Sequence, residues 1–391
     1  RLAARQQLKN GMERSYDVII AGAGPSGATL GYELARRGVS VLLLEKDRLP
    51  RYKPCAGGIT VKAARGLGLD IAPVTRSVVR GVRATYKRKR SFTRWYDQPL
   101  VFTVMRDEFD HLLVRRAREA GAALLDNEAV CRVEISSRAV RITTTARTLE
   151  SQIIVGADGA GGVVARDAGL MRGVVFGMGM EAETSVAAEK LVQWDSLMGL
   201  DLGHIRGGYG WVFPKKDHLS VGVGGPLRQV RRLRSGYRAV LKSYDLEAGS
   251  VSRLRSHYLP VRRRGMAIQS GRCLLLGDAA GLVDPLTGEG IHHAVRSARL
   301  AAPVIHRCLE SSSPDLQGYQ EAVDRELMPE LTAARGFARL FTWFPGLCFG
   351  LVEGHDRLWR ACCRLLRGEE TYVSIKQRLY PFEGLFDLLT V

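Results

Sequence analysis

Tyr16-Asp-Val-Ile-Ile-Ala21-Gly22-Ala23-Gly24-Pro25-Ser26-Gly27 is a short apolar run that stops at three glycines spaced as GxGxxG. A run of this length bounded by glycine reads as a buried strand. Gly22, Gly24 and Gly27 permit the tight turn and close helix start at which backbone N–H groups meet a pyrophosphate. A second apolar run, Val41 to Leu44, leads into Glu45, near the spacing at which a carboxylate accepts hydrogen bonds from a ribose diol. Strand, loop, helix and acid in register predict an α/β, Rossmann-like nucleotide-binding domain.

Far downstream lies Gly277-Asp278-Ala-Ala-Gly-Leu-Val-Asp-Pro285-Leu-Thr-Gly288-Glu-Gly290-Ile291, after the apolar Cys273 to Leu275. NAD needs little beyond the first loop. FAD adds a ribityl chain and a three-ring isoalloxazine, so a second strand–turn–helix must reach it from elsewhere in the chain. The two segments together point to FAD. Asp278 has two readings, a cofactor contact or a turn aspartate. Gly288, Gly290 and Ile291 open a helix whose N–H groups stabilise negative charge on a reduced flavin. Glu289 is assigned no catalytic role, because its carboxylate would oppose that charge. His292 and His293, on adjacent helical positions, read as helix-face residues rather than a metal pair.

The chain has 391 residues, 46% of them hydrophobic, enough for two domains. Its seven cysteines follow no metal-ligand spacing and predict reduced thiols. Arg1 to Gly11 is basic and lacks the apolar core of a signal peptide, so a cytoplasmic location is expected, with Met12 as the start. The net charge of +18 gathers at Lys87–Arg90, Arg228–Arg234 and Arg262–Arg264. No nucleic-acid module accompanies it; a membrane surface, a phosphate-bearing substrate or plain solvated faces are the readings.

The expected organisation is a discontinuous FAD-binding domain (12–75, 101–170 and 265–310), a substrate-binding domain built on an antiparallel sheet (76–100 and 171–264), and a helical C-terminal region (311–391). Val101 to Arg106 is expected to be a strand returning to the cofactor. Arg106 then either meets a phosphate or the ribityl chain with its guanidinium fork, or is a plain surface arginine. Ile153 to Asp158 is expected to be a further strand ending at the nucleotide. In Tyr209-Gly-Trp211-Val-Phe213-Pro214 the aromatics occupy alternate positions, so one strand face carries all three. That face is either ordinary core or an aromatic wall for a long apolar substrate. Lys215 to His218 reads as a polar turn leading into a partner strand from Leu219. In Pro50-Arg-Tyr-Lys-Pro54-Cys55-Ala56-Gly57-Gly58, the glycines let backbone approach a flat ring, and Cys55 is either a small buried hydrophobe or a thiol beside the flavin, carrying its proton at neutral pH.

On Lys53–Gly58, Arg106–Asp110, Tyr209–Pro214 and Gly277–Ile291, the chain resembles the geranylgeranyl reductase family of FAD flavoproteins, within the fold shared with aromatic hydroxylases and flavin-dependent halogenases. Ala56 departs from the glycine common after the cysteine. The resemblance implies hydrogenation of C=C bonds in a polyprenyl lipid or isoprenoid by reduced FAD, with a proton from an acid near Cys55 or Tyr209. It implies catalytic roles for Cys55 and Tyr209, and a substrate wall of Tyr209, Trp211 and Phe213. The cofactor set it implies is Gly22 to Gly27, Glu45, Lys46, Cys55 to Gly58, Arg106, Val130, Asp158, Gly277, Asp278, Pro285, Gly288, Gly290 and Ile291. NAD(P)H or ferredoxin is the expected electron donor. Two rivals stand: a monooxygenase or halogenase, whose Trp-x-Trp-x-Ile-Pro signature Tyr209–Pro214 does not meet, and a flavin-free prenyl-lipid carrier. The apolar stretch Phe337 to Val352, interrupted by Arg339 and Pro345, falls short of the ~20 residues of a spanning helix. It reads either as a core segment or as a cap or membrane-surface contact, with Arg357, Arg360, Arg364 and Arg367 near it.

Overall fold

Five parallel strands carry the nucleotide loops, in the order Cys273–Leu275, Thr148–Gly156, Tyr16–Ala21, Val41–Leu44, Ala123–Leu125. Their near-continuous apolar sequences follow from burial on both faces; Val18 to Ile20, Leu42, Leu43 and Ile153 to Val155 are fully buried. Chain order reverses at Tyr16–Ala21, which pairs with Val41–Leu44 on one side and Thr148–Gly156 on the other. Such a switch point opens a crevice beyond the carboxyl ends of the strands. Gly22, Glu45, Asp158 and the Gly277 turn all lie there. The computed structural model describes residues 16–311 and 315–378; Arg1–Gly11, Met12, Pro314 and residues 379–391 of the expected C-terminal region lie outside them.

The run from Val101 does not rejoin this sheet. Val101–Val104 is the middle of a separate three-stranded antiparallel sheet, between Gly58–Thr60 and Thr75–Val79. The helix Arg106–Glu119 follows directly, with Phe109 and Leu113 buried and Leu112 only partly so. The strand thus delivers Arg106 to the crevice from beneath the Cys55 loop.

A second sheet of seven strands draws on two separate chain pieces, in the order Ser250–Val261, Val175–Ser185, Leu219–Pro226, Tyr209–Pro214, Leu197–Leu202, Gly81–Tyr86, Arg90–Trp95. It is mixed rather than purely antiparallel: where the two pieces meet, Leu197–Leu202 runs parallel to Gly81–Tyr86. One face carries Met180, Ala182, Val212, Leu219, Val221 and Val223, packed under Leu233, Tyr237, Val240 and Leu241 of the helix Leu233–Ser243. The opposite face is turned to the crevice. Helices Gln317–Glu326, Met328–Trp343, Pro345–Gly354, Asp356–Arg367 and Tyr372–Arg378 complete the described chain. The apolar stretch 337–352 is broken at Phe344 into two of them, and Phe349 packs with Tyr86 and Phe92 at the edge of the second sheet.

The basic clusters divide. Lys87–Arg90 is exposed at the turn from Gly81–Tyr86 into the edge strand Arg90–Trp95. Arg262 is a correction to any solvated reading: its guanidinium is buried, donates to the Met266 carbonyl and pairs with Asp324 at 2.9 Å.

Candidate active site

The glycine loop is shaped for close approach. Gly22 has φ +100°, and a Cβ there would overlap the Ala157 carbonyl of the neighbouring strand end, so only glycine fits. The helix Pro25–Ala35 starts at once, with Pro25, Ser26 and Gly27 buried. Glu45 is buried, and its Oε2 accepts from Ala23 N at 3.1 Å; its carboxylate braces the loop that it borders. Lys46 is exposed beside it, and Val130 begins the half-buried strand Val130–Ile135 nearby. Asp158 accepts from Val164 N at 3.1 Å, while its Oδ1 has no hydrogen-bond partner among the described residues.

Three cations converge between this loop and the Gly277 turn. Arg51 pairs with Asp110 at 2.7 Å and reaches Glu45 at 3.4 Å. Arg106 is buried and holds Asp110 bidentately, at 2.8 and 2.9 Å. Asp110 is kept ionised against burial by Arg106 and Arg51, as a paired buried carboxylate must be. Lys53 is the third; burial lowers its pKa, with Arg106, Asp278, Asp110 and Arg51 as charged neighbours. Arginine forks, a lysine and a helix N-terminus around one glycine loop are the donor set that a pyrophosphate takes. The residues present therefore fit FAD. Of Arg51, Lys53, Arg106 and Asp110, sequence reading assigned a role to Arg106 alone.

At the second loop, Gly277–Ala280 forms a 3-10 turn containing Asp278, and Ile291–Glu310 is a helix starting from Gly290. Asp284 shapes the segment between: its Oδ1 accepts from Leu286 N and Thr287 N at 2.8 and 2.9 Å. Asp-Pro is a turn signal, and Asp284 was legible on that ground beside Pro285. Glu289 lies in an ion pair with Lys62 at 2.9 Å and accepts from Thr60, which ties the loop to the three-stranded sheet. His293 is buried and His292 partly so; burial lowers both.

Strand register builds the rest of the site. Residues paired directly across strands share a face. Tyr209, Gly224, Gly179 and His257 make one row, Trp211, Gly222 and Glu181 a second, and Phe213, Ser220 and Glu183 a third. The central strand thus offers only glycine and serine between an aromatic stripe and a stripe of ionisable groups. Trp211 leans into that trough: a Cβ on Gly222 would overlap its indole. Phe213 meets Gly58, and the Tyr209 hydroxyl donates to the Thr287 carbonyl. The aromatic stripe, the Cys55 loop and the second loop are brought together.

Cys55 accepts at Sγ from Gly57 N at 3.4 Å, and its own N–H donates to Glu181 Oε1. Ala56 O accepts from Lys215 Nζ at 2.7 Å, as does Val104 O at 2.8 Å. Lys215 opens the expected turn, its N–H donating to His218 O at 2.9 Å, but the residue is 5% exposed, and burial brings it down to about 8. Burial likewise takes His257 down to about 4, so its imidazole is neutral at pH 7. Burial, then the charge of Glu183, lifts Glu181 to about 8. Lys215, Glu181 and His257 carried no signal in their local sequence; only pairing register brings them here.

Residues 15–321 match the family model described as an FAD binding domain. The chain is 31% identical over 411 residues to a menaquinone reductase of Mycobacterium tuberculosis, covering 95% of this chain and 99% of that one. It is 29% identical over 356 residues to the chloroplastic geranylgeranyl diphosphate reductase of Oryza sativa, covering 84% and 75%. Among solved structures, it is similar to a geranylgeranyl bacteriochlorophyll reductase-like protein of Thermoplasma acidophilum, with TM-score 0.73, 24% identity and 84% and 88% coverage. It is also similar to the flavin-dependent brominase Bmp2, with TM-score 0.75, 19% identity and 96% and 98% coverage. These two likenesses bear on the fold.

Proposed function

We propose, since the chain belongs to the geranylgeranyl reductase family of FAD-dependent oxidoreductases, that it hydrogenates C=C bonds of a polyprenyl chain. The observation that carries this reading is the sheet face on which Tyr209, Trp211 and Phe213 look across a glycine trough at Glu181 and His257. Aromatic surface offers large contact area without polar groups to satisfy, which suits a flat, apolar alkene chain. A hydroxylated or halogenated aromatic product needs no such length.

Reduced FAD supplies hydride when bound. The protein's part is to hold, orient and protonate. Arg51, Lys53, Arg106 and the Gly22–Gly27 loop would hold the pyrophosphate, and Gly57 and Gly58 bring backbone close to the ring system. An isolated alkene has no carbonyl to stabilise a carbanion, so a proton must arrive on one carbon as the other takes hydride. Trp211 and Tyr209 flank that second carbon with aromatic faces, which favour developing positive charge. The Tyr209 hydroxyl, committed to the Thr287 carbonyl, fixes the wall against the second loop. Cys55 lines the opposite side.

Electrons are proposed to come from NAD(P)H or ferredoxin, and the lipid from a membrane surface touched by the helix break at Trp343 and Phe344. No helix among the described residues is long and apolar enough to cross a membrane. The test is anaerobic: chemically reduced enzyme is mixed with prenyl diphosphates, prenyl quinones and digeranylgeranyl lipids, and products are weighed by mass spectrometry. One added hydrogen pair per double bond is expected. Product that forms only with oxygen would overturn the reading.

A further inference from the structure

Glu181 is the most deeply buried acid on the face that carries the aromatic wall, 1% exposed. Its Oε1 accepts from Cys55 N, while Oε2 has no hydrogen-bond partner among the described residues. Gly222 alone separates it from Trp211 in the row, and the indole leans toward it. A carboxyl oxygen left free, beside the surface where the alkene would lie, is placed to give a proton.

A route to water reaches the same spot. Two positions along its strand and on the same face is Glu183, whose Oε2 meets His218 Nε2 at 2.9 Å. His218 Nδ1 meets Asp217 Oδ1 at 2.7 Å, and the Asp217 side chain is 82% exposed. Lys215, held on two backbone carbonyls, has Glu183, Cys55, Glu181 and Arg76 as its ionisable neighbours. Exchangeable groups therefore run from solvent through Asp217 and His218 to Glu183, whose charge acts on both Lys215 and Glu181.

Resting on the reductase reading, we propose that Glu181 is the proton donor of alkene reduction and that His218 and Glu183 reload it from solvent. The Glu181 Oε2–H bond breaks as the alkene π pair forms a C–H bond at one carbon. The other carbon takes hydride from reduced FAD. The alkene gains two hydrogens, the cofactor is oxidised by two electrons, and the Glu181 carboxylate regains its proton from water by way of His218. Glu183 on its own strand, Arg255 paired directly across on the neighbouring strand, Tyr52 and Cys55 from the adjoining loop, Lys215 from the hairpin and Arg106 from the helix surround this carboxyl. Burial and Glu183 outweigh the Cys55 N–H, Lys215 and Arg106, so the acid is protonated at pH 7. His218 is raised by Glu183 and Asp217 despite its burial, which suits a carrier working near neutrality. Tyr52, whose hydroxyl has no hydrogen-bond partner among the described residues, is pushed up by burial and is the far weaker acid.

The test uses the full-length holoenzyme and Glu181→Gln. Infrared spectra at pH 7 should contain a protonated-carboxyl C=O band that shifts in D2O and is missing in Glu181→Gln; its persistence would overturn the proposal without any substrate being present. In single-turnover reduction of a prenyl substrate, Glu181→Gln should be slower by about a hundredfold or more, with FAD binding and flavin reduction retained. The wild-type rate should fall above pH 8 and the variant's residual rate should not. Should Glu181→Gln fail to fold, Glu181→Asp serves, with a smaller loss and the same pH limb. His218→Gln should slow steady-state turnover and be rescued by added imidazole. A Glu181→Gln enzyme that reduces the alkene at the wild-type rate sinks the donor and leaves the reductase standing; a wild type that reduces no prenyl alkene removes both.

Discussion

A carboxyl that keeps its proton in the folded protein and loses it in the unfolded chain makes stability fall as pH rises. Glu181 lies at about 8 when folded against 4.5 as its ordinary value, so between these the folded state binds the extra proton. Its contribution is fully present below pH 4.5 and is lost through pH 8, at up to about 1.4 kcal/mol per pH unit. Glu181→Gln should remove that slope: in urea unfolding, the variant should gain on the wild type as pH rises across the window. Cys55→Ser should keep FAD bound and slow alkene reduction, by less than Glu181→Gln, because the Cys55 backbone N–H that holds the carboxyl survives the change. Unchanged turnover would remove the thiol from the mechanism. Of these two neighbours only Cys55 drew notice in the sequence, since prolines and glycines mark its loop. Glu181 sits in an ordinary strand where nothing local distinguishes it from a surface acid.

The glycine-bearing strand Leu219–Pro226 is what lets an aromatic wall and an acid stripe face one another. Gly222→Ala places a methyl where the Trp211 indole lies, so the ring must turn out of the trough. The expected result is a loss of about 1–3 kcal/mol in stability, a changed tryptophan fluorescence maximum and a raised KM for prenyl substrate, with FAD affinity retained. An unaltered spectrum and KM would show that the ring is not seated there. The alternation of Tyr209, Trp211 and Phe213 was legible because a two-residue period is a local property. What stands opposite depends on register, which local sequence does not encode. Val101–Val104 illustrates the limit: its apolar run identifies a strand, yet it joins Gly58–Thr60 and Thr75–Val79 instead of the parallel sheet, a choice made by tertiary pairing.

Across the whole molecule, the FAD-binding architecture was the readable part, because backbone loops that meet phosphates must be written in glycine. The C-terminal stretch was read two ways, and the structure divides it: Phe349 is buried, while Trp343, Phe344 and Leu347 are 54%, 51% and 59% exposed. An exposed aromatic pair at a helix break, on a chain of net charge +18, is suited to an anionic bilayer surface. Sedimentation with anionic liposomes should be strong at low salt, weaken as salt rises, and drop at least several-fold in a Trp343→Ser, Phe344→Ser double variant; no binding at low salt would count against this. The parallel seam between Leu197–Leu202 and Gly81–Tyr86 has a different consequence. The ribosome releases the 81–86 strand more than a hundred residues before its neighbour, and the Cys273–Leu275 strand later still. The second sheet cannot close on a nascent chain until Val261 has emerged, nor the parallel sheet until Leu275 has, so synthesis, not only thermodynamics, leaves apolar edges waiting for chaperones.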